Sequence, residues 1–580
     1  MRTGVFILKT IKNFVAMERE RGTLWKTLSQ SFKEKRLAPA YKLYFGDFLE
    51  EKAKKYADRP AVLFRDKTVT FRELDQNTNV VAQGFKKRGA KPGMGVSIMT
   101  VNSPTFYDFY FGALKLGMYV VPTNNALRGK QLSHILTNSD VSFIFIHYSL
   151  YPFFEKVRAE TPNVKTVIID TLDAPEDYRL PEGALSMKEF YSSDLPMARP
   201  PDRPAEGSIA ILMYTSGTTG LPKGVVYRHG DARMGMSEAL FRTIGNKNDV
   251  YYTCLPLFHA NALFITTMSA FGMGCPVALS QRFSATKFWD EVRYFGATTF
   301  NLLGAMIPIL MKQPPKPNDR DHRVRLIITS ACPANIWENF EKRFGVTIWE
   351  GYGAVDGGGV LIMNIGNAPK GSIGKPLGAK IRLVDENGND SPPGTPGQLI
   401  MKVGEKPEKS QKKGGGEGVE YFKNPEATNK KLRDGWLYTG DYLYQDKKGY
   451  LFFVGRDSEN LRRRGENVST YEVEVEILKH PSVEECAVYA VPAELGEDDI
   501  MASTVLVQGK SLDPKELIEF LEDKLAYFAI PRYVRIVSEL PKTETHRVIK
   551  KALQDVGVTP DTWDAEKHGI KPGSKTRPKA

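Results

Sequence analysis

Four cysteines in 580 residues, none in a CxxC pair, leave this chain without the means for a disulfide framework or a cysteine-based zinc site. Cys254, Cys275, Cys332 and Cys486 lie far apart, which suits a reducing compartment and predicts a cytoplasmic protein. No apolar run approaches the roughly 20 residues that a membrane-spanning helix needs. The apolar residues near the N-terminus are followed by no small-residue cleavage site, so they do not read as a signal peptide. No repeat of fixed period is present, and no nucleic-acid motif accompanies the net charge of +12. The positive excess sits at the two ends. Residues 1–46 hold ten Lys and Arg against three acids, and residues 567–580 hold five against none. Such ends suit an anionic membrane surface, or simply solubility, better than nucleic acid.

What the chain does have is length and apolar content. It is too long for one core, so at least two domains are expected, and with 41% apolar and 11% aromatic residues it is no disordered chain. The N-terminal half alternates strand and helix signals. Segments 61–64 and 68–71 read as a hairpin, 72–87 as a helix and 96–101 as a strand. Pro104 opens a helix that Gly117 closes; 119–121 and 141–146 read as strands, with a helix near 130–137 between them. This order predicts parallel strands covered by helices. Segment 405–418 (EKPEKSQKKGGGEG) has no apolar residue and is expected to be a mobile surface loop, with regular structure resuming at 436–438 and in a strand at 450–454. A second, smaller domain is expected from 456 onward, with strands at 486–491 and 502–507 and a helix from Asp513, with Pro514 in its first turn, to about Leu525. At the N-terminus, Ile7, Leu8, Ile11, Phe14 and Val15 share one helical face; that pattern suits a helix in a membrane interface and equally one packed on the protein.

The most specific stretch is 214–224 (YTSGTTGLPKG), which follows the apolar segment 209–213. Its glycines let backbone N–H groups approach an anion, its hydroxyls add short donors, and Lys223 adds a point charge. The spacing from Gly217 to Lys223 is not that of a Walker P-loop, and Pro222 stands where that motif has glycine. Four further motifs follow: PLFH at 256–259, YGAVD at 352–356, WLYTGD at 436–441 and Gly455-Arg456.

Together, in this order, they closely resemble the signatures of the acyl-adenylate-forming superfamily: acyl-CoA synthetases, luciferases and peptide-synthetase adenylation domains. The resemblance covers about 45–551. It implies an α/β fold: a large N-terminal domain of doubly wound, parallel-type sheets and a small mobile α+β C-terminal domain. The boundaries would be a basic extension at 1–46, a large domain at 47–455, a small domain at 456–551 and a basic tail at 552–580. It also implies a reaction that uses ATP, Mg2+ and CoA: a carboxylate attacks the α-phosphate and releases pyrophosphate, and CoA thiolate then displaces AMP.

The resemblance assigns roles residue by residue. Thr215, Ser216, Gly217, Thr218, Thr219, Gly220 and Lys223 would hold the ATP phosphates, with Thr219 and Lys223 also catalytic. Tyr352 would stack on adenine beside Gly353, with Ser330 and Ala331 in the opposite wall. Asp441 would take the ribose hydroxyls, and Arg456 the ribose or a phosphate. Asp356 stands where the family has Glu as magnesium ligand, and Val355 where it has Thr. His259 would border the acyl carboxylate, and Arg464 and Gly465 would meet CoA. The terminal lysine that serves adenylation is Arg547 here, with Lys550 and Lys551 as nearby alternatives; Ser458 falls where the family places its hinge.

Two subfamilies are resembled further, through 283–292, 313–320 and 340–345: the fatty-acid transport protein and very-long-chain acyl-CoA synthetase group, and the carnitine/crotonobetaine-CoA ligase group. The basic N-terminus favours the first, predicting a long-chain fatty acid substrate and a peripheral contact with the inner face of a membrane. A small acid such as carnitine or crotonobetaine is the alternative. A fatty-acid uptake or binding protein with weak ligase activity is the other, because Val355, Asp356 and Arg547 depart from the pattern together.

Overall fold

A computed structural model describes residues 44–192, 194–215, 221–231, 245–303, 306–356, 359–366, 368–377, 379–403, 419–456, 460–463, 466–492, 498–522, 524–525, 529–543 and 548–570. The N-terminal amphipathic segment, the loop at 405–418, the basic tail from 571 onward and Ser458 lie outside them. The chain forms two compact units: 1–381 with 401–438, and 382–400 with 439–580. The boundary expected at 455/456 falls inside the second.

The first unit is built on two sheets. β1 (Pro60–Phe64) and β2 (Lys67–Thr70) form the expected hairpin. Helix α1 (Phe45–Tyr56) precedes them and α2 (Phe71–Lys87) follows. α2 starts on a capping box in which the Thr70 side chain accepts from Glu73 N and the Glu73 carboxylate accepts from Thr70 N, satisfying two helix-end donors at once. β3 (Gly95–Met99), α3 (Pro104–Leu116), β4 (Tyr119–Pro122), α4 (Gly129–Asn138), β5 (Val141–His147), β6 (Thr166–Asp170), β7 (Leu185–Ser186), β8 (Ile209–Thr215) and β9 (Lys223–Arg228) complete a seven-stranded sheet in the order β7-β6-β5-β3-β4-β8-β9. All its neighbours are parallel except the β8–β9 hairpin. Gly117 ends α3 at φ 88°, and a Cβ there would lie 2.9 Å from Pro204 N, so glycine meets both a backbone and a packing demand.

The second sheet adds β10 (Tyr251–Thr253), β11 (Val277–Leu279), β12 (Thr299–Leu303), β13 (Leu326–Ser330), β14 (Ile348–Ala354), β15 (Gly359–Asn364) and β16 (Lys375–Pro376) to the first hairpin, in the order β16-β15-β14-β13-β12-β10-β11-β1-β2. Its central strands are parallel, and antiparallel pairs close both edges. The strands are almost wholly buried, as expected where helices cover a parallel sheet. Aromatic side chains fill the space between sheet and helices; the Phe109 and Phe145 rings stack with centroids 3.7 Å apart.

In the second unit, Val483–Pro492 pairs antiparallel with Asp498–Leu506, to which Tyr533–Ile536 adds in parallel. Helices Thr470–Ile477 and Pro514–Glu522 bury Val473, Ile477, Leu517, Ile518 and Leu521 with Val488 and Ile500. This is the small α+β domain the motifs imply. Two elements were not anticipated. Regular structure resumes before residue 436, at helix Pro425–Lys431, whose first turn is capped by Asn424 accepting from Ala427 N. Residues Asn261–Met268 form a π-helix, which no periodicity argument would single out.

Candidate active site

The predicted phosphate loop is the turn of the β8–β9 hairpin. Thr215 pairs with Lys223 across the stem, so the strand register itself brings the ends of the loop together. Ser216, Gly217, Thr218, Thr219 and Gly220 lie outside the described residues. Lys223 is exposed, and its ammonium stands 5.6 Å from the centroid of the Tyr421 ring. The Tyr421 hydroxyl donates to Asp356 Oδ2 at 2.6 Å, and the Lys431 ammonium pairs with the same oxygen. Tyr421 therefore joins the expected phosphate cation to the expected metal carboxylate, with which Lys431 pairs. Segment 420–422 is strapped onto β9: Val226 N donates to the Glu420 carbonyl at 2.9 Å, and Phe422 N to the Gly224 carbonyl at 2.7 Å. Nothing in the sequence pattern marks these two residues, because the strap is distant from the loop along the chain.

β13 and β14 are parallel neighbours, so their C-terminal ends lie on the same edge of the sheet. Ser330 and Ala331 end the first; Tyr352 and Gly353 lie in the last turnings of the second. Between them sits Glu350, a residue the motif reading missed. Its carboxylate accepts from the Thr329 hydroxyl, from Ala331 N and, at 3.1 Å, from Cys332 N. Ser330 Oγ donates to the Gly351 carbonyl at 3.1 Å. Ala331 has φ 67°, a conformation that costs a residue with a Cβ about 1–2 kcal/mol, and Glu350 holds the turn in it. Burial raises the Glu350 pKa above its ordinary value, against the opposing pull of those donors. Tyr352 is buried.

His259 opens the turn before the π-helix: its N–H donates to the Pro256 carbonyl, and its own carbonyl accepts from Leu263 N, both at 3.0 Å. Burial pushes its pKa down to about 4, so the imidazole is neutral at neutral pH. The loop before it is pinned by buried Asn102, which donates to the Leu255 and Ser280 carbonyls at 2.9 and 3.0 Å and accepts from Leu257 N at 2.9 Å. Phe264 of the π-helix packs against Tyr227 of β9, ring centroids 5.2 Å apart, and Tyr227 donates its hydroxyl to the Val355 carbonyl at 2.6 Å. One tyrosine thus ties the segment after His259 to the strand end that carries Asp356.

Among the described residues no group of three or more His, Cys, Asp and Glu is arranged to hold a metal ion. Asp356 as sole carboxylate fits a magnesium ion whose remaining ligands are phosphate oxygens and water, the usual mode for this hard cation; the Lys431 pair would have to open or be shared.

In the second unit, strand register sets Asp441 directly opposite Arg456, on neighbouring antiparallel strands. Asp441 is buried, and its N–H donates to Thr439 Oγ1 at 3.1 Å. Arg464, Gly465 and Arg547 lie outside the described residues. Among the described residues on either side of Arg547, Lys542 bridges Val548, and Ile549 N donates to the Pro541 carbonyl at 2.8 Å. Lys550, named as an alternative to Arg547, is engaged elsewhere: its ammonium donates to Thr470 Oγ1 at 2.9 Å and pairs with Glu474 at 2.8 Å. Lys551 pairs with Asp555 on the surface of its own helix.

The chain matches two family models: AMP-binding enzyme over residues 49–404 and AMP-binding enzyme C-terminal domain over residues 472–547. The crotonobetaine/carnitine–CoA ligases of Salmonella enteritidis PT4 and Salmonella typhi are each 31% identical to it over 516 residues, 86% of this chain and 96% of theirs. Its fold is that of an anthranilate CoA ligase solved with anthranoyl-AMP (TM-score 0.77, 24% identity, 90% of this chain and 98% of that one). It is likewise that of a benzoate CoA ligase from Burkholderia xenovorans LB400 (TM-score 0.75, 23% identity, 88% and 99%). A Mycobacterium tuberculosis fatty acyl CoA synthetase aligns with a TM-score of 0.65 at 21% identity, over 90% and 99%. Motif order, strand-end geometry and these matches agree: the chain belongs to the AMP-binding enzyme family and is an acyl-adenylate-forming CoA ligase, of the kind that uses ATP, Mg2+ and CoA.

Proposed function

We propose that this ligase activates a small polar acid of the crotonobetaine or carnitine kind. The observation that carries the reading is 31% identity to ligases of that name along 86% of the chain. It revises the preference for a long-chain fatty acid, which leaned on a basic N-terminus whose first 43 residues lie outside the described structure. The chemistry around His259 supports it. A quaternary ammonium is held by aromatic faces and not by hydrogen bonds, and an aromatic ring, Phe258, stands beside the neutral imidazole with ring centroids 4.6 Å apart. The apolar runs of the N-terminus are too short to span a bilayer, so its contact with a membrane surface would be peripheral; no helix among the described residues is long and apolar enough to cross a membrane.

In this reading the loop from Thr215 to Gly220, with Lys223, cradles the phosphates, and Asp356 takes the magnesium ion. Tyr352 and the turn at Ser330 and Ala331 enclose adenine. Asp441 takes the ribose hydroxyls beside Arg456, Arg464 and Gly465 receive CoA, and Arg547 neutralises the charge that builds as the carboxylate attacks phosphorus. The extension at 1–46 and the domains at 47–455 and from 456 onward remain the working division for making variants, with 552–570 kept in the second domain and not treated as tail, because Trp563–Asp564 pairs with Tyr533–Val534 and Asp564 holds Arg532.

The test is a panel of acids from butyrate to lignocerate, with crotonobetaine and carnitine, scored for acid- and CoA-dependent release of AMP and pyrophosphate. The highest kcat/KM is expected for the betaines. A maximum at long chain lengths restores the fatty-acid reading, and acid binding without AMP release makes the chain a binding protein. Asp441→Ala is expected to lower kcat/KM for ATP about 10²-fold, since it leaves ribose hydroxyls unpaired. Arg547→Ala is expected to slow adenylation by about 10²–10³ while thioester formation from supplied acyl-adenylate continues; equal loss in both steps removes Arg547 from that role.

A further inference from the structure

The stem of the phosphate loop is gripped by a single helix. α4 buries Leu132, Ile135 and Leu136 in the same apolar core as Leu212 of β8 and Val226 of β9. The helix is fixed in turn: Tyr119 donates its hydroxyl to the Ser139 carbonyl at 2.6 Å, and Asn163 Nδ2 donates to the Leu136 carbonyl at 2.8 Å. His134 and Asn138 are four residues apart on α4 and therefore lie on one face. Each of them holds one strand of the stem. Tyr214, one residue from the end of β8, donates its hydroxyl to Asn138 Oδ1 at 2.6 Å. His134 Nε2 lies 3.0 Å from the carbonyl oxygen of Pro222, the residue before β9. Because the partner is a carbonyl, Nε2 carries the proton and donates.

An open groove lined by Lys130, Thr137, Glu160 and Leu221 as well as His134 and Asn138 runs along this face of the helix. The two directional hydrogen bonds add to the apolar contact of α4 with β8 and β9 by fixing Tyr214 and Pro222, at the loop end of each stem strand. Gly224, opposite Tyr214 in the ladder, leaves room for that ring: a Cβ at 224 would come within 3.0 Å of it.

We propose that His134 and Asn138 are positioning residues for adenylation. They touch neither ATP nor acid, and act by holding Tyr214 and Pro222 so that the loop between them presents its donors to the phosphates at the correct height. The proposal rests on the phosphate role of that loop and extends it to a helix that carries none of the family motifs.

The experiment separates the two half-reactions. His134→Ala and Tyr214→Phe are each expected to raise KM for ATP and slow ATP–pyrophosphate exchange about three- to tenfold, the effect of losing one hydrogen bond that orients the loop. CoA transfer from supplied acyl-adenylate should stay at the wild-type rate. His134→Gln, which keeps a donor, and Asn138→Asp, which keeps the acceptor, should recover most of the loss, and Asn138→Leu should not. Equal slowing of both half-reactions, or failure of the conservative variants to recover, would mean a structural role only and overturn the proposal. So would wild-type ATP kinetics in His134→Ala and Tyr214→Phe while Lys223→Ala raises KM for ATP. Wild-type ATP kinetics in Lys223→Ala would instead remove the loop from phosphate binding, and the positioning role with it.

Discussion

In the first unit, burial drives several ionisable side chains towards their neutral forms; in the second, Arg532 and Asp564 are held charged by each other. Burial pushes His229 and His259 down to about 4, lowers Lys115 to about 8 despite Asp75 beside it, and raises Asp108 to about 7. It raises Glu350 as well. In the second unit the hydrogen bond to Asp564 raises the pKa of Arg532. Burial alone would raise that of Asp564, but the bonds from Arg532 and from Glu566 N bring it below its ordinary value. Arg532 also reaches Asp499 at 3.0 Å and Glu566 at 3.2 Å. The difference follows from architecture. Parallel sheets covered by helices leave a dry interior in which a charge is costly. A four-stranded sheet in a small domain keeps its ends near water, where an arginine can join three carboxylates. Carboxylates do different work in the two places: Glu350 gathers backbone N–H groups to shape the turn at Ser330–Ala331, and Asp499 and Asp564 tie strands together through a cation.

The sharpest way to break this contrast is Arg532→Ala, which leaves two buried carboxylates without their guanidinium. It is expected to cost about 3–5 kcal/mol in urea unfolding of the second unit, with Arg532→Lys recovering part. A cost under about 1 kcal/mol would show that the ion pairs there are ornamental.

A pH series tests the other half. The ring nitrogens of His229 have no hydrogen-bond partner among the described residues, and its imidazole lies beside Tyr44 and near Asp47 and Arg199. Its pKa is about 4 folded against 6.5 unfolded, so between those values the unfolded chain binds more protons and stability falls as pH falls. The slope is at most about 1.4 kcal/mol per pH unit for one such group. The stability difference between wild type and His229→Phe should shift in that window and be flat above it. The Asp564 pKa is lowered as well, but because its charged form is the favoured one: its contribution is present above about pH 3.8 and is lost as pH falls below that. A difference that is flat from pH 6.5 to 4 would mean that His229 titrates normally.

Glu350→Gln should cost about 1–3 kcal/mol, because an amide nitrogen would face a backbone N–H donor at one of the two oxygen positions. The variant should also raise KM for ATP through the Ser330–Ala331 turn. The smallest effect is expected on the surface. Lys342→Ala breaks the exposed pair with Glu338 and should change stability by about 0.5 kcal/mol or less, measured by the same unfolding curves.

Several parts of the fold were legible because their signals are local. The hairpin at 60–70, α2, and α3 between Pro104 and Gly117 announce themselves within one or two turns of chain. The βαβ order fixed the parallel pairing of β3, β4 and β5. The π-helix after His259 and the helix at Pro425–Lys431 were missed: a π-helix has no hydrophobic period of its own in so apolar a segment, and the second helix is only seven residues long. In the site, motifs pointed to Thr215, Lys223, Tyr352, Asp356 and Asp441. Asn102, Tyr227, Glu350, Tyr421 and Lys431 went unread because each acts on a segment far from it in sequence or through a single side-chain bond to backbone.

By itself, the sequence determined the reaction class. A loop of glycine and hydroxyls ending in Lys223, followed by the other motifs in order, specifies the groups an adenylating ligase needs, and residue type and spacing are read directly from the chain. Only the tertiary structure decided what holds those groups: that Asp356 is shared between Tyr421 and Lys431, that Lys550 is committed to Glu474 and Thr470, and that α4 grips both strands of the loop stem. The reason is physical. Chemistry at a reacting atom demands particular residue types, which leave a pattern, whereas bracing demands only a donor or acceptor at the right distance, which many residues at many positions can supply.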